Sequence, residues 1–227
     1  MSSQILRDKV VEIIKRHGIK AKRYLDLGCG DGTLTAMIAK IVEANEVYGV
    51  DIDDMFLQRL PNLIRGIKFD LELLNSTRLP FENNYFDLIT TVEVIEHLSC
   101  GDYLIMEAFR ILKKGGYLLL TTPNLASWIN RLLLAFGYQP MFTEPSKYYW
   151  IGLPKGIKKK REVSAYGHKN LYTLKAMLDI LKAYGLTPCF VSGCRTYEKG
   201  LLGVIDRLMC KVSSIAPLLI ILAKKLL

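Results

Sequence analysis

The sequence predicts an α/β fold: a mostly parallel, seven-stranded sheet with helices on both faces. Three observations carry this. Short apolar runs alternate with helix-spaced segments from Arg23 to Thr122, the rhythm of β-α-β units joined by right-handed crossovers. The run Tyr117 to Thr122 is almost uninterruptedly apolar, as in a strand covered on both faces. Gly28-Cys29-Gly30-Asp31-Gly32 separates the first apolar run from a helix-spaced segment, and such a turn lets a ligand approach bare backbone.

Each element follows from its pattern. Leu6, Val10, Ile13 and Ile14 recur at helical spacing and Gly18 stops them, which makes residues 1–20 an N-terminal helical segment and 21–227 the main domain. His17 falls in the last helical turn, where a cationic group suits the helix dipole, so its role reads as structural. Arg23 to Leu27 is the first strand, and Leu34, Met37, Ile38, Ile41 and Val42 mark one face of the next helix. Glu46 to Asp51 is a second strand, and a helix over Asp54 to Leu60 stops at Pro61. Ile67 to Phe69 and Phe86 to Thr91 are the third and fourth strands. Leu104, Ala108, Ile111 and Leu112 line a helix that ends before Gly115-Gly116, and Tyr117 to Thr122 is the fifth strand.

The rhythm breaks after Asn124. Residues 125–167 form an insertion with an amphipathic start (Trp128, Ile129, Leu132, Leu133, Phe136), an aromatic cluster Tyr148-Tyr149-Trp150 and a basic run from Lys155 to Arg161. A long insertion at the ligand-binding edge of a sheet is expected to act as a lid or substrate platform. Order resumes with Thr173 as an N-cap, Leu174, Met177, Leu178 and Leu181 on one helix face, and Gly185 as the stop. Pro188 to Ser192 and Leu218 to Ala223 are the closing strands.

The chain of 227 residues carries a net charge of +9, which favours anionic partners without choosing among them. Its five cysteines include no C-x-x-C pair, which argues against a zinc knuckle or a disulfide framework and for reduced thiols in a cytoplasmic protein. Charges run through Met1 to Gly18, unlike a signal peptide, and the apolar stretch Ile215 to Ala223 is too short for a spanning helix.

Chemistry gathers at the carboxyl ends of the strands, where sheets of this type bind ligands. Asp26 stands two residues before Gly28, and Gly28, Gly30 and Gly32 are spaced G-x-G-x-G, where a dinucleotide fingerprint would read G-x-G-x-x-G. The acid suits a cationic or amine-bearing ligand better than a pyrophosphate. Cys29 within the loop reads as a packing residue. Asp51 ends the second strand about 20 residues beyond the loop, where a carboxylate accepts both hydroxyl hydrogens of a ribose. Ile52 would pack on the base.

Tyr24-Leu25-Asp26-Leu27-Gly28-Cys29-Gly30-Asp31-Gly32 resembles the first motif of class I S-adenosylmethionine (SAM) dependent methyltransferases. Asn75-Ser76-Thr77-Arg78-Leu79-Pro80-Phe81 with Tyr85-Phe86-Asp87-Leu88 resembles their adenine-binding turn, with Asn75 where the family has an acid. The resemblance covers about residues 22–124. It implies a Rossmann-like class I methyltransferase fold and SAM held by Asp26, Gly28, Gly30, Asp51, Ile52, Asn75 and Ser76.

Glu93-Val94-Ile95-Glu96-His97 adds a second signature. On a helical turn Glu93, Glu96 and His97 would share a face, and with His168 they would supply two carboxylates and two imidazoles, a set that suits Mg²⁺ or Mn²⁺. The E-x-x-E-H spacing is similar to that of ubiquinone-biosynthesis O-methyltransferases. E-V-I-E-H, Thr122-Pro123-Asn124 and His168 ahead of Tyr172-Thr173 are similar to small-RNA 3′-terminal 2′-O-methyltransferases, although Gly167 stands where an acid is expected. The resemblance implies a metal site of Glu93, Glu96, His97 and His168 that lowers the pKa of an attacking hydroxyl. In the plainer reading the two acids only favour a helix N-terminus and His97 is a satisfied half-buried histidine; in a metal-free enzyme His97 or His168 serves as a general base, with Glu93 as a further catalytic group.

The leading expectation is methyl transfer from SAM to a hydroxyl of a small-molecule, sugar or lipid-linked acceptor. The amphipathic stretches at Leu125 to Tyr138 and Leu201 to Val212 offer a peripheral membrane contact, or else cap the sheet edge or form a dimer contact. The alternative is a metal-dependent RNA 2′-O-methyltransferase, with the basic run Lys158 to Arg161 on phosphates and Tyr148-Tyr149-Trp150 stacking bases. A third reading is a non-catalytic SAM-binding partner subunit.

Overall fold

The structure is a computed structural model that describes residues 4–146, 148, 149, 151–154 and 167–226. Trp150 and the basic run from Lys155 to Arg161 therefore lie outside the described residues.

Seven strands form one sheet: β1 (Arg23–Leu27), β2 (Glu46–Asp51), β3 (Ile64–Lys68), β4 (Phe86–Val92), β5 (Leu112–Pro123), β6 (Leu186–Cys194) and β7 (Leu218–Lys225). Their order across the sheet is β3-β2-β1-β4-β5-β7-β6. The pairings β2–β3, β1–β2, β1–β4 and β4–β5 are parallel, while β7 runs antiparallel to both β5 and β6. The chain winds outward in opposite directions from the β1–β4 boundary, and this switch point is where an open α/β sheet leaves a crevice at its carboxyl edge.

Both faces are covered. On one, Val10, Ile13 and Ile14 of α1 (Gln4–Arg16) and Ile38 and Val42 of α2 (Thr33–Val42) pack with Tyr24, Leu88, Leu119 and Ile220. The N-terminal helix thus belongs to the same core as the sheet. On the other, Leu104, Ala108 and Ile111 of α4 (Gly101–Ile111) and Met177 and Leu181 of α6 (Leu174–Ala183) pack with Leu25, Leu27, Ile89 and Leu118. The period-2 alternation sends neighbours such as Leu88 and Ile89 to opposite faces. The expected N-cap is present: the Thr173 hydroxyl accepts from Ala176 N. His17 sits at the end of α1 with its ring 4.6 Å from Phe190.

Some elements differ in extent from the sequence reading. The helix expected over residues 54–60 is one turn, α3 (Asp54–Leu57). The third strand begins at Ile64, three residues early, because Ile64 N donates to Pro61 O and turns the chain directly into register with Val47. Exposed Arg65 and Gly66 hide this edge strand from a search for apolar runs. β5 spans twelve residues through Gly115, which has φ 81°.

The insertion opens with α5 (Trp128–Ala135), which lies against α7 (Gly200–Met209) through a 2.6 Å bond from Trp128 Nε1 to Asp206 Oδ1. The chain returns to the sheet where Tyr172 bridges Asn124 in parallel fashion. No helix among the described residues is long and apolar enough to cross a membrane.

Candidate active site

The glycine loop is fastened to the end of β2. Gly28 N and Cys29 N both donate to Val50 O, at 2.8 and 3.0 Å. Gly30 N donates to Asp51 Oδ2 at 2.8 Å and Asp53 N to Asp51 Oδ1 at 3.0 Å. Gly28 has φ 78°, and a Cβ there would stand 2.4 Å from Val94 Cγ2, so only glycine fits. A Cβ on Gly30 would meet nothing within 4 Å. The loop therefore leaves open space directly beside the Asp51 carboxylate, as a bound nucleoside needs. Each Asp51 oxygen retains a lone pair for a ribose hydroxyl. Ile52 follows, half-buried. Cys29 is buried, its thiol pushed up by burial, and its Sγ fills the space that a Cβ on Gly49 would take.

Asp26 occupies a different position from the one the sequence implies. It is 3 % exposed, and its carboxylate accepts from Thr35 Oγ1 at 2.5 Å and Thr90 Oγ1 at 2.6 Å. It braces the loop from beneath, joining α2 and β4, with Tyr24 Oη on Thr90 completing the chain at 2.8 Å. Burial, only partly offset by the two threonines, raises its pKa from 3.8 to about 6. A raised carboxyl pKa makes folding less favourable as pH rises: below about pH 4 the group is neutral in both states, and from there to about pH 6 only the unfolded chain ionises. The expected loss is about 2–3 kcal/mol. Chemical denaturation at pH 4.5 and 8 should show a smaller difference in Asp26→Asn than in the native chain.

Leu71–Asn75 forms a short 3₁₀ helix that ends at the expected adenine turn. Asn75 and Ser76 are exposed there, and Ser76 Oγ turns back onto Leu73 O at 3.2 Å. The Leu-Pro-Phe turn is anchored from below, with Leu79 N donating to Glu107 Oε1 at 2.8 Å.

The second cluster lies beyond β4. Helical conformation covers only Ile95–His97, and Glu93 has φ 57°, so residues 93–97 are not one continuous turn. Glu93 accordingly falls outside the group of clustered ligand atoms, although it stays near enough to raise the Glu96 pKa. Its carboxylate accepts from Thr121 Oγ1 at 3.2 Å, and burial pushes its pKa up to about 7. Glu96, His97 and His168 do come together, with one ligand atom from each within 4.8 Å of the others. The His97 and His168 rings stack at 4.8 Å. His168 arrives because the returning chain is sewn to this turn: Lys169 N and Asn170 N both donate to Glu96 O, and Asn170 Nδ2 donates to Leu98 O.

The local chemistry fits a cation. Glu96 is fully buried, with Oε2 accepting from Thr122 Oγ1 at 3.1 Å and Oε1 lacking a hydrogen-bond partner. Its pKa is driven well up, by burial first and by Glu93 second. His97 Nδ1 lies 3.3 Å from Gly167 O and His168 Nδ1 3.1 Å from Phe142 O. A proton on each Nδ1, donated to those carbonyls, puts the lone pair of each ring on Nε2. A cavity of about 350 Å³ adjoins His168, lined in part by Leu125, Gln139, Phe142, Thr143 and Asn170.

Sequence reasoning missed Thr35, Thr90, Thr121 and Thr122, each of which holds one of the acids. The threonines of β4 and β5 had a usable signal, since polar residues end otherwise apolar strands there.

A mostly parallel sheet reversing at β1–β4, closed by an antiparallel hairpin and with a glycine loop and a strand-end acid at the switch point, defines the Rossmann-like fold of class I methyltransferases. The family profile described as methyltransferase domain matches residues 3–189, and the chain belongs to that family as a SAM-dependent methyltransferase. The ubiquinone biosynthesis O-methyltransferase of Pseudomonas aeruginosa is 28 % identical over 178 residues, covering 77 % of this chain and 72 % of that one. An uncharacterized methyltransferase of Schizosaccharomyces pombe is 32 % identical over 117 residues, covering 48 % of this chain and 42 % of that one. A SAM-dependent methyltransferase structure from Mesorhizobium loti superposes with a TM-score of 0.60 at 17 % identity, covering 96 % of this chain and 99 % of that one. At that identity the likeness shows the fold.

Proposed function

We propose that the protein transfers the methyl group of SAM to a hydroxyl of a small-molecule, sugar or lipid-linked acceptor, with Glu96, His97 and His168 holding a divalent ion such as Mg²⁺ or Mn²⁺. The observation that carries this reading is Glu96 Oε1, a buried carboxylate oxygen without a partner beside two imidazoles. An ion held there would lower the pKa of an acceptor hydroxyl and so favour its attack on the methyl group, with S-adenosylhomocysteine leaving. Asp51 and the Gly28–Gly30 backbone hold the nucleoside, and the cavity beside His168 receives the acceptor. Holding both reactants at one sheet edge removes the entropy of bringing them together. Glu93 stands beside this group on Thr121 as a half-buried acid. The likeness to an enzyme named for ubiquinone biosynthesis supports a hydroxyl as the acceptor group.

A lipid-linked acceptor gains support from the surface. Leu134 and Phe136 at α5 and Leu201, Val204 and Leu208 on α7 are more than half exposed, and such apolar helix faces lie against a lipid surface. Incubation of purified protein with radiolabelled SAM and whole-cell extract, with and without EDTA, tests the proposal. EDTA-sensitive label in the organic-soluble phase is the expected result. Label confined to RNA would replace the acceptor class, EDTA-resistant label would remove the metal, and SAM binding without turnover would indicate a partner subunit.

A further inference from the structure

The turn that follows α5 is built around the back of His168. His168 N donates to Glu144 Oε2 at 2.9 Å, and His168 Nδ1 lies 3.6 Å from Glu144 Oε1. Both side chains are largely buried, 16 % and 11 % exposed. Phe142 contributes twice, through its carbonyl at 3.1 Å from Nδ1 and through its ring, which meets the imidazole edge-on at 5.8 Å. The turn carries strain: Phe142 has φ 67°, a left-handed conformation that a bulky residue rarely adopts.

Such a conformation persists only where its surroundings impose it. Here they do. Asn130 of α5 accepts from Met141 N at 2.7 Å, Thr143 Oγ1 donates to Pro140 O at 2.6 Å, and Gln139 Nε2 donates to Thr143 Oγ1 at 2.7 Å. The strained turn and its supports converge on one imidazole. Glu144 itself is outside the three-residue cluster of Glu96, His97 and His168, so its carboxylate acts through His168.

We propose that Glu144, together with the Phe142 carbonyl, is the positioning device that fixes the ring orientation and tautomer of His168, making the insertion part of the metal site as well as a wall of the acceptor cavity. This rests on the reading of Glu96, His97 and His168 as a divalent-metal site. Outer carboxylates and carbonyls that orient a ligating histidine typically change metal affinity 10–100-fold when removed.

The test is titration of the full-length protein with Co²⁺, followed by its visible absorption and by calorimetry. Glu144→Ala should bind Co²⁺ about 10–100-fold more weakly than the native chain. Glu144→Gln keeps an acceptor for His168 N and most of the shape, so it should fold normally and bind a few-fold more weakly. SAM affinity, measured in parallel without metal, should be the same in all three. Co²⁺ affinity equal to native in both variants overturns the positioning role while leaving the metal site standing. Native protein that binds SAM but no Co²⁺ overturns the metal reading, and this inference with it.

Discussion

Asp51→Ala should weaken SAM binding by about 100-fold or more while leaving the apoprotein folded. Asp51 does two things at once. It receives Gly30 N and Asp53 N, which sets the shape of the loop, and in the proposed reading it presents a carboxylate to the ribose. Hydrogen bonds to an ionised acceptor contribute about 1.5–3 kcal/mol each. Two ribose hydroxyls lost together therefore correspond to about 3–6 kcal/mol, or roughly 10²–10⁴-fold in affinity. The folding cost is smaller, because Gly28 N and Cys29 N stay bonded to Val50 O. Asp51→Asn, which keeps acceptor oxygen but loses the charge, should fall between the two. Calorimetric titration with SAM, beside a thermal melt of each apoprotein, measures both effects. Affinity in Asp51→Ala within threefold of native would place ribose recognition elsewhere.

The sheet and the shape of the glycine loop were legible because their signals are local. The glycine loop, the strand before it and Asp51 are fixed by short-range requirements: positive φ at Gly28, backbone approach at Gly30, an acid at a strand end. Asp26 shows the limit of that reasoning. Its sequence position beside the loop implied a ligand contact, but the β-strand alternation that sends Leu25 and Leu27 to one face sends Asp26 to the other, under the loop and onto Thr35 and Thr90. Glu93 shows it again. Helical spacing would align residues 93 and 96, yet the chain leaves β4 with a left-handed residue at Glu93 and only then coils.

The other half of the site depends on contacts distant in sequence. His168 reaches Glu96 across 72 residues, fixed by Lys169 N and Asn170 N on Glu96 O. The sequence showed the histidine and its following Tyr172-Thr173; Thr173 caps α6, and the bridge from Tyr172 to Asn124 ties the chain to the end of β5 just before it. Glu144 had no comparable signal. It belongs to an irregular turn, has no periodic neighbours, and meets its partner 24 residues away only after α5 has placed Asn130 under the turn.

Glu96→Gln should reduce methyl transfer by on the order of 10³-fold while making the metal-free protein as stable as the native chain or more stable at pH 8. Glutamine preserves the shape of the side chain and an oxygen for Thr122 Oγ1, so packing is conserved. What changes is the charge. Glu96 is 0 % exposed, its Oε1 has no partner, and burial together with Glu93 raises its pKa well above 4.5. Such a carboxyl is neutral in both folded and unfolded chains below pH 4.5; above that the unfolded chain ionises first, and folding loses stability until the raised native value is reached. The stability gain of Glu96→Gln should therefore be present at pH 8 and absent at pH 4. Its loss of activity has the opposite origin, because a neutral amide neither balances a divalent cation nor accepts a proton. SAM affinity should stay within about threefold of native, since the proposed nucleoside site at Asp51 and the glycine loop is untouched. Thermal melts at the two pH values and turnover with labelled SAM separate these effects. Full activity in Glu96→Gln would remove the carboxylate from the reaction, and a lower melting temperature at pH 8 would mean that Oε1 is satisfied in solution by a group worth more than its desolvation costs.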